Sequence, residues 1–277
     1  MRGWLLSFLF TTIVFSARSQ FYFKDLVMTG QNQKNWKTYR DQKVKEVTIL
    51  SRDASGEPTP GFTCSQEIAS DYHSIITYTH STNIPPSTLT AFYDPQGRLV
   101  RTTDTSDTYK STTEYSYAQN GQVGSMTNTS VQTDNQVSAS EQHLWTYEGN
   151  RPVSMLKIKD GTDTTRVQLI ADEKGNIVEE KSMRHGQNLP SVYYYYDDQN
   201  RLTDVVRYSQ KAKRLLPDYV FEWAENRISS MLFVPEGSND YQKWVYQYDA
   251  RGLKSTEICF DRKKQVVVRI DYNYQFR

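Results

Sequence analysis

The sequence predicts an all-β protein, a long antiparallel meander of about seven or eight β-hairpin repeats curled into a barrel-like shell. A short N-terminal helical or irregular segment precedes the meander. Three observations predict this fold. Turn residues recur at regular intervals, the segments between them alternate apolar and polar residues, and tyrosine is abundant, with 20 copies among 277 residues. Tyrosine and the β-branched residues suit a pleated, half-buried surface.

The first residues have the pattern of an export signal. Arg2 supplies a positive charge, Trp4 to Phe15 form an apolar core, and Ala17-Arg18-Ser19 places small residues where a signal peptidase reads them. The core is too short for a membrane span, which needs about 20 apolar residues. The sequence therefore predicts a cleaved signal peptide at residues 1–19, a mature chain that begins at Gln20, and no transmembrane helix.

Residues 20–43 depart from the repeat and are predicted to form an N-terminal cap segment. Thr29 to Tyr39 can form a short helix, with Trp36 and Tyr39 docked onto the sheet. Because the edge strands of a sheet need protection from further pairing, the segment is expected to cover an edge. Residues 44–277 are then a single β-hairpin-repeat domain.

A repeated turn cassette is the main evidence for the hairpins. An aromatic residue precedes six of the seven turns, with Ala171 in the same position in the remaining copy, and a Gly or Asn follows three or four residues later. Successive copies lie 24 to 30 residues apart. Gly and Asn tolerate the positive φ that hairpin tips require. The pre-turn positions are Tyr93, Tyr117, Tyr147, Ala171, Tyr196, Trp223 and Tyr248, and the turn residues are Gly97, Gly121, Asn150, Gly175, Asn200, Asn226 and Gly252.

The segments between turns read as strands with one apolar face. Val266 to Phe276 alternates strictly, and Val44 to Ser51 and Ser74 to Thr79 also read as strands, with a loop between them at Ser51 to Gly61. The Thr- and Ser-rich stretch from Ser125 to Ser140 is predicted to be an enlarged loop. Open sheets rarely exceed about 10 strands without curling. The aromatic face is therefore expected to point inward.

The cassettes resemble those of YD-repeat (RHS-like) β-hairpin proteins. The matching residues are Tyr93-Asp94 with Gly97-Arg98-Leu99, Tyr196-Asp197 with Asn200-Arg201-Leu202, and Tyr248-Asp249 with Gly252-Leu253. The region from Ala91 to Arg277 is also similar to secreted bacterial envelope proteins of unknown function whose sheets coil into a porin-like shape. The resemblance implies hairpin repeats and no particular activity. The repeat spacing is longer than is usual in that class, and four of the seven tips lack the Tyr-Asp pair.

No motif predicts a catalytic, metal-binding or cofactor-binding site. The four histidines His73, His80, His143 and His185 lack metal-ligand spacing. The sequence has neither a nucleophile elbow nor a phosphate-binding loop. His143 lies on the aromatic face of a predicted strand, where a hydrogen-bonded core or rim position is favoured over a ligand role.

Acidic pairs are the remaining candidates for chemistry. Asp197-Asp198 and Glu179-Glu180 could hydrolyse sugars if their carboxyl groups faced each other across a cleft. However, adjacent strand residues point to opposite faces, and an Asp at a hairpin tip caps its own turn. Four more loop acids lack the spacing of a calcium loop: Asp104, Asp107, Asp160 and Asp163. Asn128-Thr129-Ser130 matches a glycosylation sequon.

Charge and cysteine content give two further expectations. Removing Arg2 and Arg18 leaves 31 basic and 32 acidic residues, a balance without the basic excess of nucleic-acid-binding proteins. Cys64 and Cys259 could pair in an oxidising compartment, or they could be unrelated buried or free thiols.

These observations favour an exported, non-enzymatic β-repeat protein of the bacterial cell envelope. It would act as a structural or binding module in the periplasm or at the cell surface, with an unknown envelope partner or glycan as ligand. The alternative is an integral outer-membrane β-barrel, which the aromatic-ended last strand favours and the polar composition opposes. A more distant alternative is an envelope carbohydrate hydrolase.

Overall fold

The computed structural model describes residues 20–82, 84–134, 137–209, 212–235 and 240–277. The predicted signal peptide lies outside these residues. Near the start of the described residues, a π-helical stretch, Tyr22–Val27, runs directly into helix α1, Met28–Asp41. The helix predicted at Thr29 to Tyr39 is thus confirmed, with a longer range.

Antiparallel strands make up the rest of the described chain. They are β1 (Val44–Arg52), β2 (Thr63–Ile68), β3 (Ser74–Ser81), β4 (Ile84–Tyr93), β5 (Leu99–Ser106), β6 (Tyr109–Tyr117), β7 (Val123–Gln132), β8 (Ser138–Glu148), β9 (Arg151–Lys159), β10 (Asp163–Ala171), β11 (Ile177–Arg184), β12 (Gln187–Asn188), β13 (Val192–Tyr196), β14 (Leu202–Ser209), β15 (Arg214–Ala224), β16 (Arg227–Phe233), β17 (Gln242–Tyr248), β18 (Lys254–Phe260) and β19 (Val266–Phe276).

The sheet closes on itself. Apart from β12, each strand pairs with the next one along the chain, and β1 pairs on one side with β2 and on the other with β19. The two-residue strand β12 pairs with β11 alone and lies outside the circuit, which passes directly from β11 to β13. In the described chain, 18 of the 19 strands therefore form the closed circuit of a barrel. The all-β antiparallel meander is confirmed.

Two details of the prediction are corrected by this closure. The described chain has 19 strands, more than seven or eight hairpins provide. The segment before β1 has no sheet edge to cover, because β1 and β19 are hydrogen-bonded along Val44↔Phe276 to Arg52↔Arg269. A barrel of this strand number encloses more space than its own side chains fill. The first residues of the N-terminal segment pack against the inner face of the barrel.

The predicted loop at Ser125 to Ser140 is wrong. Most of this stretch belongs to β7 and β8, which are long strands paired from Ser125↔Leu144 to Val131↔Ser138. Apart from Met126, the inward-facing positions here are polar, and Asn128 is buried among hydroxyl groups. A search for apolar alternation therefore fails, although the backbone alternates as in any other strand.

Five of the hairpin tips owe their shape to an Asp at the start of the turn. At the first tip Asp94 Oδ1 accepts hydrogen bonds from the backbone N–H groups of Gln96 and Arg98, at 3.0 and 2.8 Å. The Arg98 side chain reaches back to Asp94 Oδ2 at 2.6 Å. Gly97 then takes a φ of +77°, which a residue with a side chain adopts at a cost. The Tyr-Asp-x-x-Gly-Arg pattern is a self-capping turn.

The aromatic residue before the turn connects neighbouring hairpins at five of the seven tips, and Tyr274 makes the same connection from the last strand. Its polar hydrogen is donated to the carbonyl of the residue that restarts the chain after an earlier turn. Tyr147 Oη, for example, donates to the Val123 carbonyl at 2.9 Å. Equivalent bonds are Tyr117 to Leu99, Tyr196 to Ile177, Trp223 to Leu202, Tyr248 to Ile228 and Tyr274 to Lys254. This ladder explains physically why an aromatic residue with a polar tip recurs there.

The aromatic face points inward, as predicted, and forms two hydrophobic clusters. The first cluster lies on β7 to β15 and includes Trp145, Tyr194 and Phe221 together with Phe21 and Phe23 of the N-terminal segment. The second lies at the closure seam, with core residues from β1 to β3 and from β17 to β19, and it includes Trp36 of α1. The N-terminal segment thus belongs to both clusters.

Candidate functional site: the plug and its two anchors

We call residues 20–41 the plug, because its first residues are buried against the inner face of the wall and Trp36 of its partly exposed helix belongs to the second cluster. Its beginning is rich in aromatic residues. Phe21 packs edge-on against His143, Tyr22 against Tyr194, and Phe23 against Tyr219 and Phe221. Such pairs contribute beyond the area they bury. The sequence Phe-Tyr-Phe therefore directs the start of the plug into the aromatic interior.

A polar anchor holds this end of the plug through a chain of four charged side chains. Asp25 Oδ2 lies 2.6 Å from His143 Nδ1 and accepts a hydrogen bond from Trp145 Nε1 at 3.2 Å. His143 Nε2 lies 3.0 Å from Glu141 Oε1, and Lys157 Nζ lies 2.5 Å from Glu141 Oε2. Two carboxyl and two basic groups thus alternate, which is how charges are tolerated away from water.

The pKa of His143 reflects this arrangement. Burial by itself lowers the pKa of His143, but the carboxylates of Asp25 and Glu141 outweigh it and raise the pKa to about 9. Burial also acts on Glu141, where the hydrogen bonds from His143 and Lys157 outweigh it and lower the pKa. His143 is therefore a cation at neutral pH, with both ring nitrogens donating.

A second carboxylate, Glu180, receives the first residues of the plug. Its Oε1 accepts a hydrogen bond from the backbone nitrogen of Gln20 at 2.8 Å. Its Oε2 accepts from the Tyr22 backbone nitrogen at 3.0 Å and from Tyr194 Oη at 2.9 Å. Glu180 has no exposed surface, and this burial raises its pKa against the opposing effect of these donors.

An ion pair on the neighbouring wall fixes the side chain of Gln20. Arg207 donates two hydrogen bonds to Asp218, from Nε at 2.6 Å and from Nη2 at 2.7 Å. The Gln20 side-chain amide donates to Asp218 Oδ2 at 2.5 Å. A bidentate arginine–carboxylate pair is geometrically specific, so it places the Asp218 acceptor accurately.

An aromatic anchor holds the other end of the plug. Trp36 is buried, stacks on Tyr93 with ring centroids 6.1 Å apart, and donates from Nε1 to the Tyr72 carbonyl at 2.8 Å. Gly97 lies directly against this ring, since a Cβ at that position would come within 2.2 Å of it. Tyr39 adds an edge contact with Tyr274 at 6.2 Å. The predicted docking of Trp36 and Tyr39 onto the sheet is confirmed.

The structure separates the candidate acids of the sequence. Glu180 points into the barrel while Glu179 lies on the outer face, as the alternation of strand residues requires. Asp197 caps its own turn, accepting from the backbone nitrogens of Gln199 and Arg201 at 2.9 Å. Neither pair presents two carboxyl groups to one cleft.

The other candidates are also occupied by local contacts. Asp104 accepts from Tyr109 Oη at 2.8 Å, Asp160 accepts from the Ser140 backbone nitrogen at 2.8 Å, and Asp163 pairs with Arg184. Within the described ranges, no group of three or more His, Cys, Asp and Glu side chains is arranged to hold a metal ion.

The two cysteines are free and buried. Cys64 lies on β2 and Cys259 on β18, so β1 and β19 stand between them. Three strand spacings amount to roughly 14 Å, about twice the reach of a disulfide. Burial raises the pKa of the Cys64 thiol to about 11 and that of Cys259 to about 12. Both thiols are therefore poor nucleophiles.

Sequence reasoning placed His143 correctly on the inner face but missed its partners. Asp25 and Gln20 were overlooked because each lies more than 100 residues from its partner in the barrel wall. One signal was present: Asp25 is an acidic residue next to the aromatic run Phe21-Tyr22-Phe23. A charge that must enter an apolar interior requires a buried counter-charge.

The outer wall carries an open groove of about 530 Å³ lined by Phe92, Arg101 and Glu114 among others. Arg101 lies over the Phe92 ring at 4.2 Å. A second groove of about 340 Å³ lies on β1 to β4. In the described part of the chain, no helix has the length and apolar character needed to cross a membrane.

These features define a class of protein, a closed antiparallel β-barrel with an internal N-terminal plug. The chain is similar to a porin-like protein from Bacteroides uniformis, with a TM-score of 0.43 and 10% identity over 84% of this chain and 97% of that chain. It is also similar to a DUF3598-family protein of unknown function from Nostoc punctiforme, with a TM-score of 0.17 and 9% identity over 87% and 98% of the two chains. No protein family model and no curated protein matches the sequence. At such TM-scores neither likeness carries an argument about function.

Proposed function

We propose that this chain is an exported, non-enzymatic barrel of the bacterial cell envelope that works in water as a structural or partner-binding module. The observation that carries the proposal is the outer face of the wall. Arg166, Lys181 and Arg269 are exposed, and each lies between two buried, inward-facing residues. All three therefore point away from the interior, near the middle of their strands.

A wall of this kind is costly in a bilayer. Membrane barrels carry an outward apolar band about 25 Å tall, and an outward Arg or Lys at mid-membrane costs about 2–4 kcal/mol. On a separate part of the wall, Arg101 on β5 and Glu114 on β6 form an exposed outward pair across the ladder. Charges thus occur at several places around the outer face, which favours a barrel surrounded by water.

The contacts of the plug support a binding or structural role over transport. The start of the plug packs into the first hydrophobic cluster and α1 into the second. Glu141, His143 and Lys157 of the wall pair with one another or with Asp25 of the plug. The YD-repeat resemblance remains a prediction, supported by the self-capping tips and the aromatic ladder.

Size-exclusion chromatography of residues 20–277 tests the proposal. A monodisperse peak of monomer size in detergent-free buffer is expected, with β-sheet circular dichroism and cooperative melting. Material that aggregates in buffer and becomes monodisperse and folded only with detergent would overturn it.

The second candidate is an integral outer-membrane barrel. The closed circuit of 18 strands is the architecture such a protein requires. Part of the outer face is apolar, since Tyr193 pairs with Val206 and Val245 pairs with Ile258 on it. Insertion of the purified chain into preformed lipid vesicles, followed by flotation and protease protection of the strands, would support this candidate. Chain that stays with the aqueous fraction would exclude it.

A further inference from the structure

Glu180 is a buried carboxylate without a cationic side chain in direct contact. Its hydrogen-bond donors include the backbone nitrogens of Gln20 and Tyr22 and the Tyr194 hydroxyl, and the Phe21 backbone also donates to it. Among the described residues, no Lys, Arg or His nitrogen lies within ion-pair distance of Glu180; Lys24 influences it from farther away. An ionised carboxylate with neutral partners alone is costly to bury. A positive charge on one of these donors would therefore stabilise the ionised carboxylate of Glu180.

Gln20 is the donor that can acquire this charge. It is buried, its backbone nitrogen lies 2.8 Å from Glu180 Oε1, and its side chain is held by Asp218. Its φ of +139° is one that residues other than glycine rarely adopt. This angle exists as long as Gln20 is joined to Ser19. A chain that begins at Gln20 has no φ there, so the strain disappears.

We propose that cleavage after Ser19 turns the Gln20 nitrogen into an α-ammonium group that forms a buried ion pair with Glu180, so that removal of the leader completes the docking of the plug. A leader peptidase supplies the hydrolysis. Water adds across the Ser19–Gln20 amide, the carboxylate leaves with the leader, and the new amine takes up a proton. The sequence places the expected cut at this bond, and the structure places the matching counter-ion there independently.

The ion pair also has a chemical consequence. A free N-terminal glutamine cyclises when its α-amine attacks the side-chain carboxamide carbon and ammonia leaves. Here Glu180 holds the amine and keeps it protonated, while Asp218 holds the carboxamide. A protonated amine is not a nucleophile. The folded protein is therefore expected to keep an open N-terminal glutamine.

A double-mutant cycle in thermal unfolding tests the pair. One form of the protein begins at Gln20, released from a fusion by a protease that leaves no extra residue, and the other retains a Gly-Ser extension before Gln20. Each is made with Glu180 and with Glu180→Gln. The extension is expected to lower Tm by several degrees in the Glu180 protein and by much less in the Glu180→Gln protein. Equal Tm values for the two Glu180 forms, or an undiminished difference in Glu180→Gln, would overturn the proposal.

Two measurements on the unsubstituted chain keep the test independent of how the variant folds. Amine labelling at neutral pH is expected to be much slower at the α-amine of the folded protein than in urea, and intact mass should show no loss of ammonia. Rapid labelling or a cyclised N-terminus would contradict the ion pair. Neither result depends on whether the outer wall faces water or lipid.

Discussion

The two ends of the plug are held by different kinds of interaction. At its start, Asp25 and Gln20 meet buried charges of the barrel wall, whereas at its end Trp36 fills an aromatic recess closed by Gly97. Charge pairs are directional and lose their value when one partner is missing, while ring burial is non-directional and scales with area. The polar anchor therefore sets where the plug sits, and the aromatic anchor supplies more of the stability.

Removing the aromatic anchor is expected to have the largest effect. Trp36→Ala should lower the free energy of unfolding by about 4 kcal/mol, because it deletes a buried ring and leaves a cavity. Urea unfolding followed by circular dichroism measures the change. The matched control is Trp36→Phe, which keeps a ring and loses the bond to the Tyr72 carbonyl, so its loss should be clearly smaller. Equal losses would mean that the hydrogen bond matters more than the ring.

Asp25→Ala should follow, with a loss of about 3 kcal/mol, because His143 and Trp145 then lose their shared buried acceptor. The same urea titration measures it. Asp41→Ala is the control on the same segment, since Asp41 is an exposed residue paired with Lys37. That exposed pair should contribute no more than about 0.5 kcal/mol. If the two substitutions cost the same, the polar anchor does not hold the plug.

The polar anchor should also respond to pH. The folded pKa of His143 is about 9, above an unfolded value of about 6.5. Its charge therefore contributes stability that is fully present below about pH 6.5 and is lost as the pH rises through about 9, amounting to about 3 kcal/mol. Unfolding free energies measured across this window should decline in the natural chain and decline less in His143→Gln. Parallel curves would show that His143 is not charged in the fold.

Gly97→Ala should have the smallest effect of the four, about 2 kcal/mol. The substitution combines a left-handed backbone with a contact to the Trp36 ring. Gly186→Ala provides the matched control, because its φ of +73° is similar to the +77° of Gly97 and nothing lies within 4 Å of its added Cβ. The control should cost about 1 kcal/mol. Identical changes in Tm would mean that Trp36 moves freely away from the turn.

Local chemistry in the sequence determined the strands, the tips and the helix. An Asp that caps its own turn, a Gly or Asn that accepts positive φ and a period of two act over a few residues, so they can be read without a structure. The failure at Ser125 to Ser140 marks the limit of this reading, because Asn128 finds its partners on a neighbouring strand.

Only the tertiary structure decided the closure of the barrel, the position of the plug and the charge pairs inside. β1 pairs with β19 from the other end of the β-sheet sequence, and Asp25 contacts His143, which is 118 residues away in the sequence. Nothing local encodes such meetings, since their free energy comes from the combined burial of many strands. The sequence by itself therefore determined the secondary-structure elements of this protein. The closed barrel, with its enclosed volume, determined where the N-terminal segment packs.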